Sequence, residues 1–417
     1  MPVSDGRGLT LTTTPAAAGH YRDGVDAWLR VQEGFGPAML AARREDPGFA
    51  LAAAGLALDA AVRGDTGPAR TWLRAAQADA PRASERERSH IAAVAARVEQ
   101  PLHHAVDHLA GHVRRHPRDA LAFSATMSTL LYSGLPGLAA RLVGLMDDVR
   151  SAYGANDWWW LGTEAFWRQE QGRYAESAAL AGRALALDPR AGWAVHAQTH
   201  VDYQTAGGSV DHALGLARLD GWLAVGATTA VLASHLSWHA ALHELARGDC
   251  AAALRRYRSG IAPTAADSRG GIVDAGSLRW RLALRGQVAA PDDALLALAA
   301  PVAAKPPFAF AAVHAGLVFA AAGDAAAIAA VADRVRRDAR PAYADVCAPV
   351  LDALLAFVEA RYADCAAVLG ALPPSELTRL GGSAVQRRVL VETRGVALLR
   401  AGGAVVARGP ERAPLES

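Results

Sequence analysis

The chain has 417 residues, a formal net charge of +2, 52% hydrophobic residues and only 6% aromatics. That length exceeds one compact core unless the architecture is elongated or repetitive, and the near-neutral charge gives no electrostatic case for nucleic acid or an anionic membrane surface. Cys250, Cys347 and Cys365 show no CxxC spacing, which argues against both a disulfide framework and a thiolate zinc site.

The start, MPVSDGRGLTLTTTPAAAGH, lacks the basic residues and apolar run of a signal peptide, and residues 1–20 read as a flexible segment. No apolar run has the character of a membrane span. The Ala-rich stretch 310–331 comes nearest, but His314, Gly316 and Asp324 interrupt it. The expectation is a cytoplasmic protein.

From residue 21 to 405 helical periodicity runs almost without a break, and no stretch alternates β-branched with polar residues. Small turn signals recur at Gly64, Gln100, Gly134, Gly172, Gly208, Gly248, Gly286, Gly323 and the Ala360 region, each 34 to 40 residues after the last, with Gly402 following more loosely. A small residue stands five positions after most of them, as Ala69, Ala105, Ala139, Ser177, Ala213, Ala253 and Cys365. Pro47, Pro81, Pro117, Pro189 and Pro263 close units where a helix must stop. The clearest unit, LGTEAFWRQEQGRYAESAALAGRALALDPRAGW at 161–193, has the tetratricopeptide pattern of a turn glycine, a small residue and a closing proline. A hairpin of this length cannot bury its apolar face alone. The fold class predicted is therefore all-α, a right-handed α-solenoid of degenerate tetratricopeptide-like hairpins over 21–405, with first helices on the inner face and a flexible tail at 406–417. The Pro-rich 288–310 reads as an interruption of the stack.

Histidines are patterned along this register. In HHAVDHLAGHVRRH (103–116), His104, His108 and His112 share one face of a second helix and are expected to be solvated. Further on, eight of the ten tryptophans fall between Trp158 and Trp280, a region that also carries His196, His200, His235, His239 and His243 at i, i+4 spacing. Counted back from each turn, Trp160, His196, His235 and Asp274 are equivalent. One helical turn later come Thr163, His200, His239 and Ser277, and after another turn Trp167, His243 and Arg281. Neighbouring repeats would then present one wall of imidazoles, indoles, Asp274 and Arg281.

Three readings follow from that wall. Paired imidazoles on adjacent helices, His196 with His200 and His235 with His239, could together with Asp274 supply a complete divalent metal site, with no obvious carboxylate to orient the histidines beyond Asp202 and Glu244. Without metal, His239, Asp274 and His200 could serve as acid–base groups with Arg281 holding an anion. The plainest reading is a concave pocket formed by His196, His200, His235, His239, His243, Asp274, Ser277, Arg281, Trp160, Trp167, Trp193 and Trp238. It would bind a small polar or anionic molecule or a peptide terminus, with 263–274 as a lid. A protein-interaction scaffold is a further possibility. The oligomeric state is not legible.

The segments WAVHAQTHV, SHLSWHAALHELARGDCAAALRRY and GIVDAGSLRWRLALRG, with DPGFALAAAGLAL, HPRDALAFS and QGRYAES, resemble the tetratricopeptide repeat protein 38 family. The resemblance implies an α-solenoid whose motif residues correspond to Trp193, His196, His200, His235, Trp238, His239, Asp274, Ser277 and Arg281, and it implies no particular reaction. The helix before Gly134, FSATMSTLLYSG, lacks a histidine that the family pattern carries there.

Overall fold

In a computed structural model, which describes residues 3–226, 231–266, 271–287 and 292–402, the chain is built from helices that pack as consecutive antiparallel pairs, and there is no β-strand among the described residues. Helix α1 (Pro15–Arg30) pairs with α2 (Phe35–Glu45), α3 (Ala50–Arg63) with α4 (Thr66–Asp79), and α5 (Glu85–Glu99) with α6 (Leu102–Arg115). The middle of the chain continues with α7 (Ala120–Leu131) and α8 (Leu138–Val149), α9 (Trp158–Glu170) and α10 (Tyr174–Leu187), and α11 (Gly192–Thr205) and α12 (Ser209–Gly226). Next come α13 (Ala233–Ala246) with α14 (Cys250–Arg256), and α15 (Gly271–Leu284) with α16 (Asp293–Ala304). The last pairs are α17 (Ala309–Ala322) with α18 (Ala325–Arg336) and α19 (Ala348–Val358) with α20 (Tyr362–Ala371), followed by the single turn α21 (Pro374–Leu377) and the long α22 (Ala384–Arg400). No helix among the described residues is long and apolar enough to cross a membrane.

The turn register read from sequence holds at most positions. Gly64, Gly134, Gly172, Gly248, Gly286, Gly323 and Gly402 have φ between 73° and 91°, and Ala360 takes the same left-handed conformation at φ 58°. This is the conformation that ends a helix and turns the chain back. Gln100 and Gly208 depart from it. Gln100 is extended ahead of Pro101, and α11 ends at Thr205, before Gly208 is reached. Ala69, Ser177, Ala253 and Cys365 are buried, as small residues at a hairpin contact must be. Ala139 is exposed, because the loop through Pro136 and Gly137 is longer and Leu138 takes the buried place.

Two expectations for the ends and joints change. The segment 3–14 is ordered onto the body: Leu11 is buried, Thr12 N donates to Glu87 at 2.8 Å, and Thr14 caps α1, which starts at Pro15 inside the stretch taken as flexible. The Pro-rich 288–310 is largely helical, with α16 running through Pro301; residues 288–291 lie outside the described residues, as does the tail 406–417.

Two large apolar clusters occupy the two ends, one from Leu11 to Trp160 and the other from Trp238 to Ala397. Between them, among the described residues, lie two small ones, one mostly alanine around Phe166 and Ala194 and the other of four residues around Leu236. The paired histidines fall in this thinly packed middle. Its geometry is fixed by close backbone approach. A Cβ on Gly192, in the first turn of α11, would stand 2.5 Å from the Arg30 carbonyl oxygen at the end of α1. Backbone cannot yield as a flexible side chain would, so Gly192→Ala is expected to cost about 1–3 kcal/mol by urea denaturation. A variant as stable as the native protein would show that α1 and α11 do not meet there.

Candidate metal centre

The side chains of His196 and His200 leave α11 one turn apart, and those of His235 and His239 leave α13 in the same way, so four imidazoles project into the gap between two packed helices. Their Nε2 atoms converge. His196 Nε2 lies 3.0 Å from that of His200, 3.0 Å from that of His235 and 3.2 Å from that of His239; His235 and His239 are 3.2 Å apart. His200 and His239 are wholly buried, His196 is 5% exposed, and the His235 side chain is 15% exposed.

Burial, reinforced by the neighbouring imidazoles, pushes His196, His200 and His239 well below the ordinary imidazole pKa, so these rings are neutral. Each neutral ring offers Nε2 either as an N–H donor or as a lone pair. His196, His235 and His239 form a triangle of contacts, and in a triangle at most two sides can join a donor to an acceptor. The third side sets like against like, a repulsive contact in a site shielded from water. A cation at the centre removes this conflict by accepting all the lone pairs at once. The size also fits. Four nitrogens held tetrahedrally at about 2.0–2.1 Å from an ion stand about 3.3–3.4 Å apart. The four contacts above are slightly shorter, His196, His200 and His239 lie mutually within 4.8 Å, and His235 joins them through His196 and His239.

Carboxylates complete the arrangement. Asp274, in the first turn of α15, accepts from His235 Nδ1 with both oxygens at 3.0 Å and so turns Nε2 of that ring toward the other histidines. Glu170, the last residue of α9, places Oε1 3.8 Å from His200 Nδ1. Nδ1 of His196, of His200 and of His239 has no hydrogen-bond partner, so Glu170 stands near His200 without being bonded to it. Aromatic rings brace the imidazoles: Phe166 stacks on His196 at 5.0 Å, Trp238 on His235 at 5.4 Å, and Trp193 lies 5.7 Å from His196.

Several residues expected in one shared wall are placed elsewhere. Trp160 stacks on Tyr153 at 4.7 Å within the N-terminal cluster. The reason is register: Gly162 abuts Ala194, 32 residues on, whereas the turn residues Gly172 and Gly208 are 36 apart, so Trp160 slips about one helical turn away from His196. Trp167 is edge-on to Phe166, and it is Phe166 that meets the histidines. His243 turns to His212, with the two Nδ1 atoms 3.0 Å apart. Ser277 is hydrogen-bonded by Arg281, which is 1% exposed. Arg281 also reaches Glu392 at 3.1 Å and the Val385 carbonyl at 3.3 Å and sits over Trp238, so it is a structural cation rather than a free anion clamp. Asp202 and Glu244 serve Arg218 and Arg256 and do not orient the histidines. Of the segment expected to act as a lid, residues 267–270 lie outside the described residues.

Glu170 belongs to neither the aromatic nor the imidazole columns of the sequence. It stands on the same face of α9 as Thr163 and Trp167, two residues before the Gly172 turn, and that spacing was available.

A second cluster overturns the solvated reading of one histidine. His104 and His108 are exposed, but His112 is wholly buried. Steps of four residues drift around a helix, and His112 lies three after Leu109 and seven after Ala105, on the core stripe. Its Nε2 and the Nδ1 of His90 share one oxygen of Asp119 at 3.1 and 2.9 Å, while His112 Nδ1 meets Ser89 Oγ at 2.8 Å. Arg86 donates to that same Asp119 oxygen at 3.2 Å. Three N–H groups aimed at one carboxylate oxygen make the cluster a hydrogen-bonded staple of α5, α6 and the start of α7, with Nε2 of His90 left without a partner.

No family model matches the chain.

Proposed function

We propose that this protein is a metal-binding helical-repeat protein in which His196, His200, His235 and His239 hold one divalent ion, and that zinc is the ion the set suits. The observation that carries this reading is the triangle of Nε2 contacts, which protons alone cannot satisfy. Four imidazoles joined by Nε2 contacts of 3.0–3.2 Å suit a d10 ion without geometric preference of its own, and four protein ligands with no open position match a structural rather than a catalytic zinc. The ion's place also supports a structural role. It ties α11 to α13, and through Asp274 to α15, in the part of the chain where apolar packing is thinnest. In this reading the hairpins form a right-handed solenoid of degenerate tetratricopeptide-like repeats, as the likeness to the tetratricopeptide repeat protein 38 family implies, and the metal replaces a core in its middle.

Tag-free protein purified without a nickel column is expected to carry close to one zinc per chain by elemental analysis. Cobalt exchanged into the site is expected to give the strong visible absorption of tetrahedral Co2+. Protein that is metal-free after such a purification and gives no such band on cobalt titration rules the site out. A second reading, metal-dependent catalysis, is favoured by one observation: His235 is the most exposed of the four and is backed by Asp274. It requires that His235→Ala keep the ion on three histidines with a water in the fourth place; loss of the ion in that variant leaves only the structural role.

A further inference from the structure

Helix α22 does not stack on α19 as the next first helix of the series. It turns back and crosses the C-terminal ends of helices far earlier in the chain. Ala384 N, in its first turn, donates to Glu170 at 3.1–3.2 Å across 214 residues of sequence, and Arg387 approaches the same carboxylate at 3.7 Å. Arg388 lies over the Tyr203 ring of α11 at 5.7 Å. In the next turn Glu392 takes Arg281 at 3.1 Å and Arg285 at 3.3 Å from α15, and Thr393 accepts from Trp280 at 2.9 Å. Ser383 and Gln386 close a capping box among themselves, so the Ala384 N–H is the orphan donor that an external carboxylate can take. The carboxylate it meets is the one facing His200.

We infer that α22 is a latch whose docking is coupled to the ion through Glu170. The inference rests on the reading of the four histidines as metal ligands. Glu170 stands 3.8 Å from the unpartnered Nδ1 of His200. An ion on His200 Nε2 would draw charge from the ring, and both the polarised Nδ1–H and the dication would then attract the carboxylate. Glu170 held in this place presents its other lone pairs to the positive end of α22. At the far side, Arg281 and Trp280 tie α22 to α15, the helix whose Asp274 fixes His235. Beside its packing on α20, α22 is thus attached at two points to helices that set the geometry of the site. Coupling is reciprocal: whatever factor the ion adds to latch docking, docking adds to ion affinity, typically about 5–150-fold.

The test is hydrogen–deuterium exchange of the full chain, zinc-loaded and chelator-stripped, read on peptides covering 384–393. Stripping is expected to speed exchange there at least tenfold. Glu170→Ala is expected to keep one zinc yet exchange quickly in both states. As a check that does not touch Glu170, Glu392→Gln is expected to speed zinc loss to a chelator at least fivefold. Zinc bound normally with α22 exchange the same in loaded and stripped protein overturns the latch, as does a Glu392→Gln variant that releases zinc at the native rate. Absence of zinc binding in the native chain overturns the ligand reading first and the coupling with it.

Discussion

His239→Ala is expected to abolish stoichiometric zinc and to lower stability by roughly 4 kcal/mol under conditions where free zinc exceeds its dissociation constant about a thousandfold. His239 Nε2 contacts those of both His196 and His235, and its ring is wholly buried against Trp238, so no water can replace it without opening α13 from α11. The native protein stripped by a chelator should melt close to the variant, and the variant should be indifferent to the chelator. His243→Ala is the control: it lies one turn further along α13, pairs with His212, and should retain the ion. Calorimetric scans with and without chelator, alongside elemental analysis, decide the matter. Equal melting of the native protein in the two conditions, with metal shown to be present and then removed, would falsify a stabilising role.

Acid should act in the same direction. His196, His200 and His239 are held well below their unfolded value by burial and by one another. Below about pH 6.5 the unfolded chain therefore takes up more protons than the folded one, and the stability present above that pH is lost as it falls. Because each ligand must be neutral to bind, zinc release adds to the loss. Zinc release followed by a metal-sensitive dye across pH 7 to 4 is expected to steepen toward four protons per ion. A dependence on a single proton would mean that the imidazoles do not act as one set.

Much of this was legible in the sequence, and the failures have definite causes. The helical class, the turns at Gly64, Gly172, Gly248, Gly286 and Gly323, and the meeting of His196, His200, His235, His239 and Asp274 all follow from period and spacing, which report directly on which residues share a face. Trp160 was misplaced because a turn residue marks where a helix ends only when the chain turns there, and α11 stops before Gly208. A run of i+4 steps puts His112 on the face of His104 and His108, whereas burial follows the alternation of threes and fours that carries it into the core. What spacing cannot give is closure. Whether facing imidazoles line an open cleft or touch one another depends on interhelical distance, which here is set by alanines and by contacts such as Gly162 on Ala194. The crossing of α22 over α9 and α15 was equally out of reach, since no local pattern encodes a contact across 214 residues.

The second large effect is expected at Asp119, far from the metal. Asp119→Asn preserves volume and leaves an oxygen to cap Ala122 N, a bond of 3.1 Å, but it places an NH2 group against His90, His112 and Arg86. Removing the charge of a buried, fully bonded carboxylate while its partners stay costs about 3–5 kcal/mol. The native carboxyl shows the same balance from the other side. Burial by itself would raise its pKa, but the charges and hydrogen bonds of His90 and His112 outweigh burial and hold it well below 3.8. A depressed carboxylate contributes stability that is present above its unfolded pKa of about 4 and is lost as pH falls through the lower folded value. The asparagine has no such titration. The gap between native and variant in urea denaturation should therefore be widest near pH 7 and close on acidification below pH 4. A gap that stays constant from pH 7 to 3 would assign the loss to packing rather than to the buried charge.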